Sequence, residues 1–201
     1  DEGTATVWEH LCRTCTWIRD ELRQGRHGLV RILAGDWNGT LNRVGIAGRG
    51  ESVLNTAQLC AGLRRMIEIA RWRGEATRAD EWAEWEHDLR GAVESAFDGT
   101  HFRRAYTDAG RPVGGAAEGR IFLDVQAWVL LTRCGTAAQR ARTTETVLKR
   151  SEAGVAALFP PFSLPPPKDV SSFCIPAGEG LNGGQVPQLT AWWVRALVAE
   201  G

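Results

Sequence analysis

A loop rich in glycine and asparagine carries side chains that could take part in chemistry. It runs from about residue 33 to residue 50 and contains Asp36, Trp37 and Asn38 in succession. A carboxylic acid can donate a proton, an indole can stack on the apolar face of a sugar ring or fill a helix interface, and an amide can hydrogen-bond to polar groups. Because long loops inside compact domains are usually functional, this loop is the first candidate site. The alternative is a purely structural Asx turn.

Other polar residues could contribute to such a site, and each has a structural alternative. Arg43 and Arg49 lie near glycines and could face an anion or pair with nearby carboxylates. Glu51 could contact a sugar or cap the helix that follows it. Gln126 and Trp128 are two residues apart at a predicted helix start, where they could contact substrate or fill the core.

A second glycine pair and two histidines complete the candidates. Gly183 and Gly184 precede a predicted helix, and backbone N–H groups at a helix N-terminus can bind an anion. His27 and His101 lie in loops, where they could be ligands but more often serve as solvated or capping residues.

Six stretches are predicted to be helices that position these residues. In the second and third of them, apolar residues form one stripe and arginine or glutamate occupies the opposite face. The six stretches cover approximately residues 6–23, 52–73, 77–97, 123–133, 136–152 and 187–199, and residues 101–121 are predicted to be extended. The connections alternate between short and long, which favours helical hairpins in a toroid with the long loops at one end. The sequence therefore predicts an all-α single domain covering residues 1–201.

Composition limits the classes of partner. The 24 basic residues are balanced by 24 acidic ones, which argues against a nucleic-acid or anionic-membrane surface. No apolar run approaches the roughly 18 residues of a membrane span, and the first residues lack signal-peptide features, so we expect a cytoplasmic protein. Five cysteines, an odd number, favour reduced thiols. Cys12 and Cys15 form a CxxC inside a helical pattern, which we interpret as structural rather than as a metal or redox site.

Four stretches, taken in order, resemble motifs of glycoside hydrolase family 94. They are the loop from Gly35-Asp36-Trp37-Asn38 to Ser52, residues 118–128, the turn Phe159-Pro160-Pro161-Phe162, and Asn182-Gly183-Gly184. The family contains cellobiose, cellobionate and diacetylchitobiose phosphorylases and the phosphorylase domain of cyclic glucan synthases. The resemblance implies a partial (α/α)₆ barrel, the C-terminal half of the catalytic barrel. It also implies inverting cleavage of a β-linked glucoside or oligosaccharide with inorganic phosphate as co-substrate and no metal or organic cofactor.

The resemblance also assigns roles to individual residues. It implies substrate binding by Trp37, Asn38, Arg43, Glu51, Gln126, Trp128 and Asn182, and phosphate binding by Gly183, Gly184 and Gln188. Three positions depart from the family pattern. Gly39 stands where the family has its general acid, Leu181 replaces a glutamate, and Gln188 replaces a histidine. Loss of a general acid typically costs about 10²- to 10⁴-fold in rate, and Asp36 is the nearest carboxylate that could substitute.

The length suggests an incomplete ring. Twelve barrel helices and their loops need roughly 350 to 400 residues, so about half of a barrel is present. We expect the other half to come from a missing N-terminal part or from a second copy in a homodimer. Two other functions remain open: a catalytically inactive carbohydrate-binding or subunit-completing module, and a helical interaction scaffold.

Overall fold

Six α-helices dominate the described part of the chain. A computed structural model describes residues 4–150 and 155–201. Its α-helices are α1 Val7–Trp17, α2 Val53–Trp72, α3 Ala76–Ser95, α4 Leu123–Leu131, α5 Ala137–Arg150 and α6 Pro187–Glu200. The predicted helical class and helix order are confirmed. The predicted end of the fifth helix, at residue 152, lies outside the described residues.

The first helix is shorter than its hydrophobic pattern predicts. Thr6 and Glu9 form a reciprocal capping box at its start, and the α-helix ends at Trp17. A π-helical turn, Ile18–Leu22, then continues to Arg23, where a φ of 61° ends the helical path. The thiols of Cys12 and Cys15 are free, and burial raises the pKa of both.

Short strands occupy the long connections. Strands β1 Glu51–Ser52, β2 Ala105–Tyr106 and β3 Pro112–Val113 form an antiparallel sheet in the order β1-β2-β3. Strand β4 Ile121–Phe122 pairs antiparallel with β5 Leu158–Phe159. The prediction of extended chain over residues 101–121 is therefore confirmed by β2, β3 and β4.

Helix α4 lies at the centre of the helix packing. It contacts α2, α5 and α6, while α2 also packs along α3 as a helical hairpin. Seven of the nine residues of α4 are buried, which explains why its sequence is apolar on all sides. One core cluster surrounds α2 and α3 with the strands, and the other joins α4, α5 and α6.

The long loops gather at one end of the helices. Strand β1 leads directly into α2 and β4 leads directly into α4, so the strands mark the N-terminal ends of these two helices. The loop before α2, which contains Asn42 and Arg43, touches the loop before α6 at this end. Asn42 donates to Ser172 Oγ at 2.8 Å, and the Arg43 N–H donates to the Val170 carbonyl at 3.2 Å. This is the loop-rich end that the alternation of short and long connections predicts.

Membrane insertion by a helix finds no support in this part of the chain. No helix among residues 4–150 and 155–201 combines the length and the apolar character that crossing a bilayer requires.

Candidate functional site

Asp36 is anchored in the interior of the loop-rich end. Its side chain is 0% exposed, and Arg104 donates to both carboxylate oxygens, from Nη2 at 2.7 Å and from Nη1 at 2.8 Å. Ser52 Oγ donates at 2.8 Å, and the Asn38 N–H donates at 2.9 Å. Four donors around one carboxylate stabilise its ionised form.

Arg104 joins Asp36 to a second buried carboxylate. Its Nε lies 3.1 and 3.0 Å from the two oxygens of Asp124, and both side chains are at most 2% exposed. Burial alone would raise the pKa of Asp36, but the charge of Arg104 and the hydrogen bonds from Arg104 and Ser52 hold that pKa below its ordinary value. Burial raises the pKa of Asp124, the positive charge of Arg104 lowers it by less, and the negative charge of Asp36 raises it further. The three residues form a buried charge network.

This network does not suit Asp36 to the role of proton donor. A general acid must be protonated at the start of the step and must reach the leaving oxygen. Asp36 is buried, and its lowered pKa keeps it ionised. The geometry argues against the hypothesis that Asp36 replaces the missing acid, and it gives Asp36 the task of fixing the loop against β1 and Arg104.

Gly39 occupies an open position beside this anchor. It is the first residue of a 3₁₀ turn, Gly39–Leu41, and it is exposed. Asn38 caps the turn, since its Oδ1 accepts from the Thr40 N–H at 3.2 Å and from the Thr40 hydroxyl at 2.5 Å. A Cβ added at Gly39 meets no atom within 4 Å. A Cβ could therefore be added here without displacing a neighbour.

The turn that begins at Gly39 reaches a small cavity. Thr40, the neighbour of Gly39, lines this mainly apolar cavity together with Leu181 and Phe162. The two segments are more than 100 residues apart in the chain. The fold thus brings Thr40 and Leu181 to one cavity from distant parts of the sequence.

The Asn182-Gly183-Gly184 segment is largely occupied by its own fold. Asn182 Oδ1 accepts from the Phe162 N–H at 2.7 Å, and its Nδ2 donates to the carbonyls of Phe162 and Ile175 at 3.0 and 2.8 Å. The Gly184 N–H donates to the Gly180 carbonyl at 3.0 Å. Asn182 is therefore a clamp for the turn at residues 159–162.

Gln188 remains accessible at the start of α6. It is exposed and follows Pro187, the first residue of the helix, whose N-cap residue Val186 provides no side-chain hydrogen bond. Gly183 lies just before this end with a φ of 100°. Gln188 thus lies in the first turn of α6, where backbone N–H groups could bind an anion, whereas Gly183 precedes the helix in the chain and packs near Pro161 and Leu158.

Gln126 and Trp128, though close in sequence, have different surroundings. Gln126 is 0% exposed; its Oε1 accepts from the Phe102 N–H at 3.0 Å and its Nε2 donates to the Phe102 carbonyl at 2.8 Å. Trp128 packs edge to face on Trp192 at 5.5 Å, and Trp37 lies 5.0 Å from the same ring. Gln126 thus follows the core-packing alternative, whereas Trp37 and Trp128 belong to a partly exposed aromatic cluster.

Glu51 and Arg43 are also placed by backbone contacts. Glu51 is 1% exposed, accepts from the N–H groups of His27 and Leu29 at 3.0 and 3.2 Å, and lies 2.5 Å from His27 Nδ1. The suggestion that Glu51 caps α2 is wrong, because Ser52 is the N-cap. Arg43 is exposed, with its backbone N–H bound to Val170.

The sequence did not predict three residues of this region: Arg104, Asp124 and Trp192. For Asp124 a signal existed, since it is the one charged residue in the apolar stretch of residues 121–131. A buried carboxylate needs a cation, and that requirement could have pointed to a buried arginine. Nothing in the local sequence of Arg104 distinguishes it from Arg103.

Among the described residues, no group of three or more histidine, cysteine, aspartate or glutamate side chains is placed to hold a metal ion.

Comparison with known proteins agrees with the motif order and the helical fold. The family model for the catalytic domain of the glycosyl hydrolase 94 superfamily matches residues 1–201. The cyclic beta-(1,2)-glucan synthase NdvB of Rhizobium meliloti (strain 1021) is 33% identical over 201 residues, which cover 96% of this chain and 7% of the relative. Solabiose phosphorylase of Paenibacillus borealis is 33% identical over 170 residues, covering 81% of this chain and 22% of the relative.

A third relative matches along the whole chain. N,N'-diacetylchitobiose phosphorylase of Vibrio furnissii is 26% identical over 212 residues, which cover 100% of this chain and 26% of the relative. The chain thus spans about a quarter or less of the length of these three relatives. With the family model matched over its whole length, this chain belongs to the glycosyl hydrolase 94 superfamily and is a stretch of that family's catalytic domain.

Proposed function

We propose that this chain forms one side of a cleft in which β-linked glucosides are cleaved by inorganic phosphate, and that it is impaired in this reaction because Gly39 occupies the acid position. The family match and the phosphorylases among the relatives support the reaction class. The single observation that carries the impairment is the open, exposed site at Gly39 with Asp36 locked in an ion pair behind it.

The chemistry requires few protein groups. A phosphate oxygen attacks the anomeric carbon, the bond from that carbon to the glycosidic oxygen breaks, and the leaving oxygen takes a proton from an acid. Inversion gives an α-sugar 1-phosphate. In the proposed cleft the exposed part of Trp37 and Trp128 supports a sugar ring, and the α6 N-terminus with Gly183 and Gln188 faces the phosphate. Residue 39 is glycine, which has no acidic group to donate this proton.

The test is restoration of the acid. Glucose 1-phosphate release is measured from a panel of β-linked disaccharides with inorganic phosphate, using the unmodified chain, Gly39→Asp, and Gly91→Asp as the matched control. Gly91 is exposed on α3 and also has open space for a side chain. We expect Gly39→Asp to exceed the unmodified chain by about 10²-fold or more, and Gly91→Asp to leave the rate unchanged. Detectable and equal turnover by the unmodified chain and Gly39→Asp would show that the impairment proposal is wrong.

A second candidate is a carbohydrate-binding or subunit-completing module without turnover. The apolar cavity at Leu181 favours it, because the family pattern has a glutamate there. Quenching of tryptophan fluorescence by the same disaccharides, with no product from either variant, would favour this function.

Exposed apolar side chains at the helix faces favour the subunit-completing part of that candidate. Trp72 on α2 is 85% exposed, Val7 on α1 is 77% exposed, and Val194 and Val198 on α6 are 53% and 77% exposed. We propose that these faces are covered by the rest of a barrel, supplied by a longer polypeptide or by a second copy. Light scattering after size-exclusion chromatography tests the homodimer: a monomer at all concentrations would exclude the second copy.

A further inference from the structure

Three arginines line a single cavity on the loop-rich end. Arg26, Arg31 and Arg49 border a cavity of about 360 Å³ between residues 24–31, the end of the first long loop, and the turn between β2 and β3. Among the described residues, none of the three lies within ion-pair distance of a carboxylate. Within the described residues their side chains donate two hydrogen bonds, from Arg26 to the Gly110 carbonyl and from Arg49 to the Asp108 carbonyl, both 3.2 Å.

The two carboxylates of the cavity are engaged elsewhere. Asp108 accepts from the backbone N–H groups of residues 47, 49 and 50 at 2.8, 2.8 and 2.9 Å. Glu51 accepts from the backbone at residues 27 and 29 and contacts the His27 ring. Both carboxylates therefore accept hydrogen bonds from the backbone, and Glu51 also contacts His27. Three guanidinium cations line the cavity, compared with two carboxylates.

Two residues that line the cavity carry buried donor atoms. Within the described residues, neither Arg31 Nε nor Gln24 Nε2 has a hydrogen-bond partner. Buried donors are almost always paired in folded proteins, so two unpaired donors on residues of one cavity wall favour an acceptor from outside the chain.

We propose that this cavity binds the phosphoryl group of a small phosphate monoester. A phosphoryl group presents three terminal oxygens, which suits donors that approach from several side chains, whereas a carboxylate offers one planar pair. The cavity volume falls in the range of sites for small organic ligands, so there is room for the molecule that carries the phosphate. The group that the cavity recognises is the phosphoryl group, which either a sugar phosphate or free phosphate can supply.

This site is separate from the proposed cleft. Glu51 and Ser52 are successive residues of β1, and successive side chains of a strand point to opposite faces. Ser52 contacts Asp36 and Arg104, while Glu51 lines the arginine cavity. The cavity and Asp36 therefore lie on opposite faces of β1. Binding of a ligand in the cavity does not require the proposed cleavage reaction.

The test is calorimetric titration of the full chain with inorganic phosphate, glucose 6-phosphate and glucose. We expect saturable binding of glucose 6-phosphate, weaker binding of inorganic phosphate, no binding of glucose, and an affinity that falls with added salt. Arg31→Met and Gln24→Glu should each weaken binding about tenfold or more. Arg142→Met is the matched control, because Arg142 is exposed on α5 and pairs with Glu145.

The outcomes separate cleanly. Equal affinity for inorganic phosphate and glucose 6-phosphate would still support the site and identify free phosphate as its ligand. No saturable binding, or unchanged binding in Arg31→Met, would overturn the proposal. Should Arg31→Met lose its circular dichroism spectrum, Arg49→Met replaces it, since Arg49 is exposed and its removal leaves the core intact.

Discussion

Replacing Arg104 with methionine should destabilise the protein more than any other single arginine replacement at the loop-rich end. Arg104 is fully buried, and its three guanidinium nitrogens donate to Asp36, Asp124 and Ser52 at 2.7 to 3.2 Å. Methionine fills similar space but leaves two carboxylates buried without a cation. Removal of one partner from a buried ion pair costs about 3 to 5 kcal/mol in the free energy of unfolding.

Urea denaturation followed by tryptophan fluorescence measures this loss. With a slope of about 2 kcal/mol per molar urea, the midpoint should fall by about 2 M. Arg103→Met is the matched control, because within the described residues the Arg103 side chain donates only to two backbone carbonyls, at 3.4 and 3.5 Å. Its replacement should shift the free energy of unfolding by less than about 1 kcal/mol. Adding Asp36→Asn and Asp124→Asn to Arg104→Met should restore part of the loss, since no unpaired charge then remains buried.

A decrease of less than about 1 kcal/mol in the free energy of unfolding for Arg104→Met would contradict the stabilising role of these buried ion pairs. It would mean that the two carboxylates find solvent or protons at little cost in the native state. Asp36 would then be free enough to act as an acid, and the case against its catalytic role would fail.

Two further predictions concern acid stability and glycine packing. Burial alone would raise the pKa of Asp98, but hydrogen bonds from backbone N–H groups, among them those of His101 and Thr100, lower this pKa more. The ionised carboxylate therefore stabilises the folded state fully above about pH 4, and this stabilisation is lost as pH falls through the lowered pKa. Asp98→Ala should therefore cost about 1 to 3 kcal/mol at pH 7 in urea denaturation, and the gap to the parent should close toward pH 2; a constant gap would contradict this. Gly25→Ala should lower the free energy of unfolding by about 1 to 3 kcal/mol, because its Cβ would overlap the Glu51 side chain, whereas Gly39→Ala has open space; equal stability of the two variants would contradict the packing.

Local sequence was sufficient for the helices and for the motif order. The apolar spacing within α2 and α3 and the glycines between them define elements by short-range rules, and the structure follows these rules to within a few residues. The first helix shows the limit, because the change to π geometry at Ile18 leaves no mark in the hydrophobic pattern.

The order of residues shows which side chains stand at the loop-rich end, including Gly39 directly after Asp36, Trp37 and Asn38. The roles of those side chains depend on long-range contacts. Asp36 and Arg104 are 68 residues apart, and their contact makes Asp36 a structural anion rather than a free acid. Gln126 likewise became a backbone clamp through a partner 24 residues away. Burial and hydrogen-bond partners set the charge and reach of a side chain, and both arise from long-range packing that a local pattern does not contain.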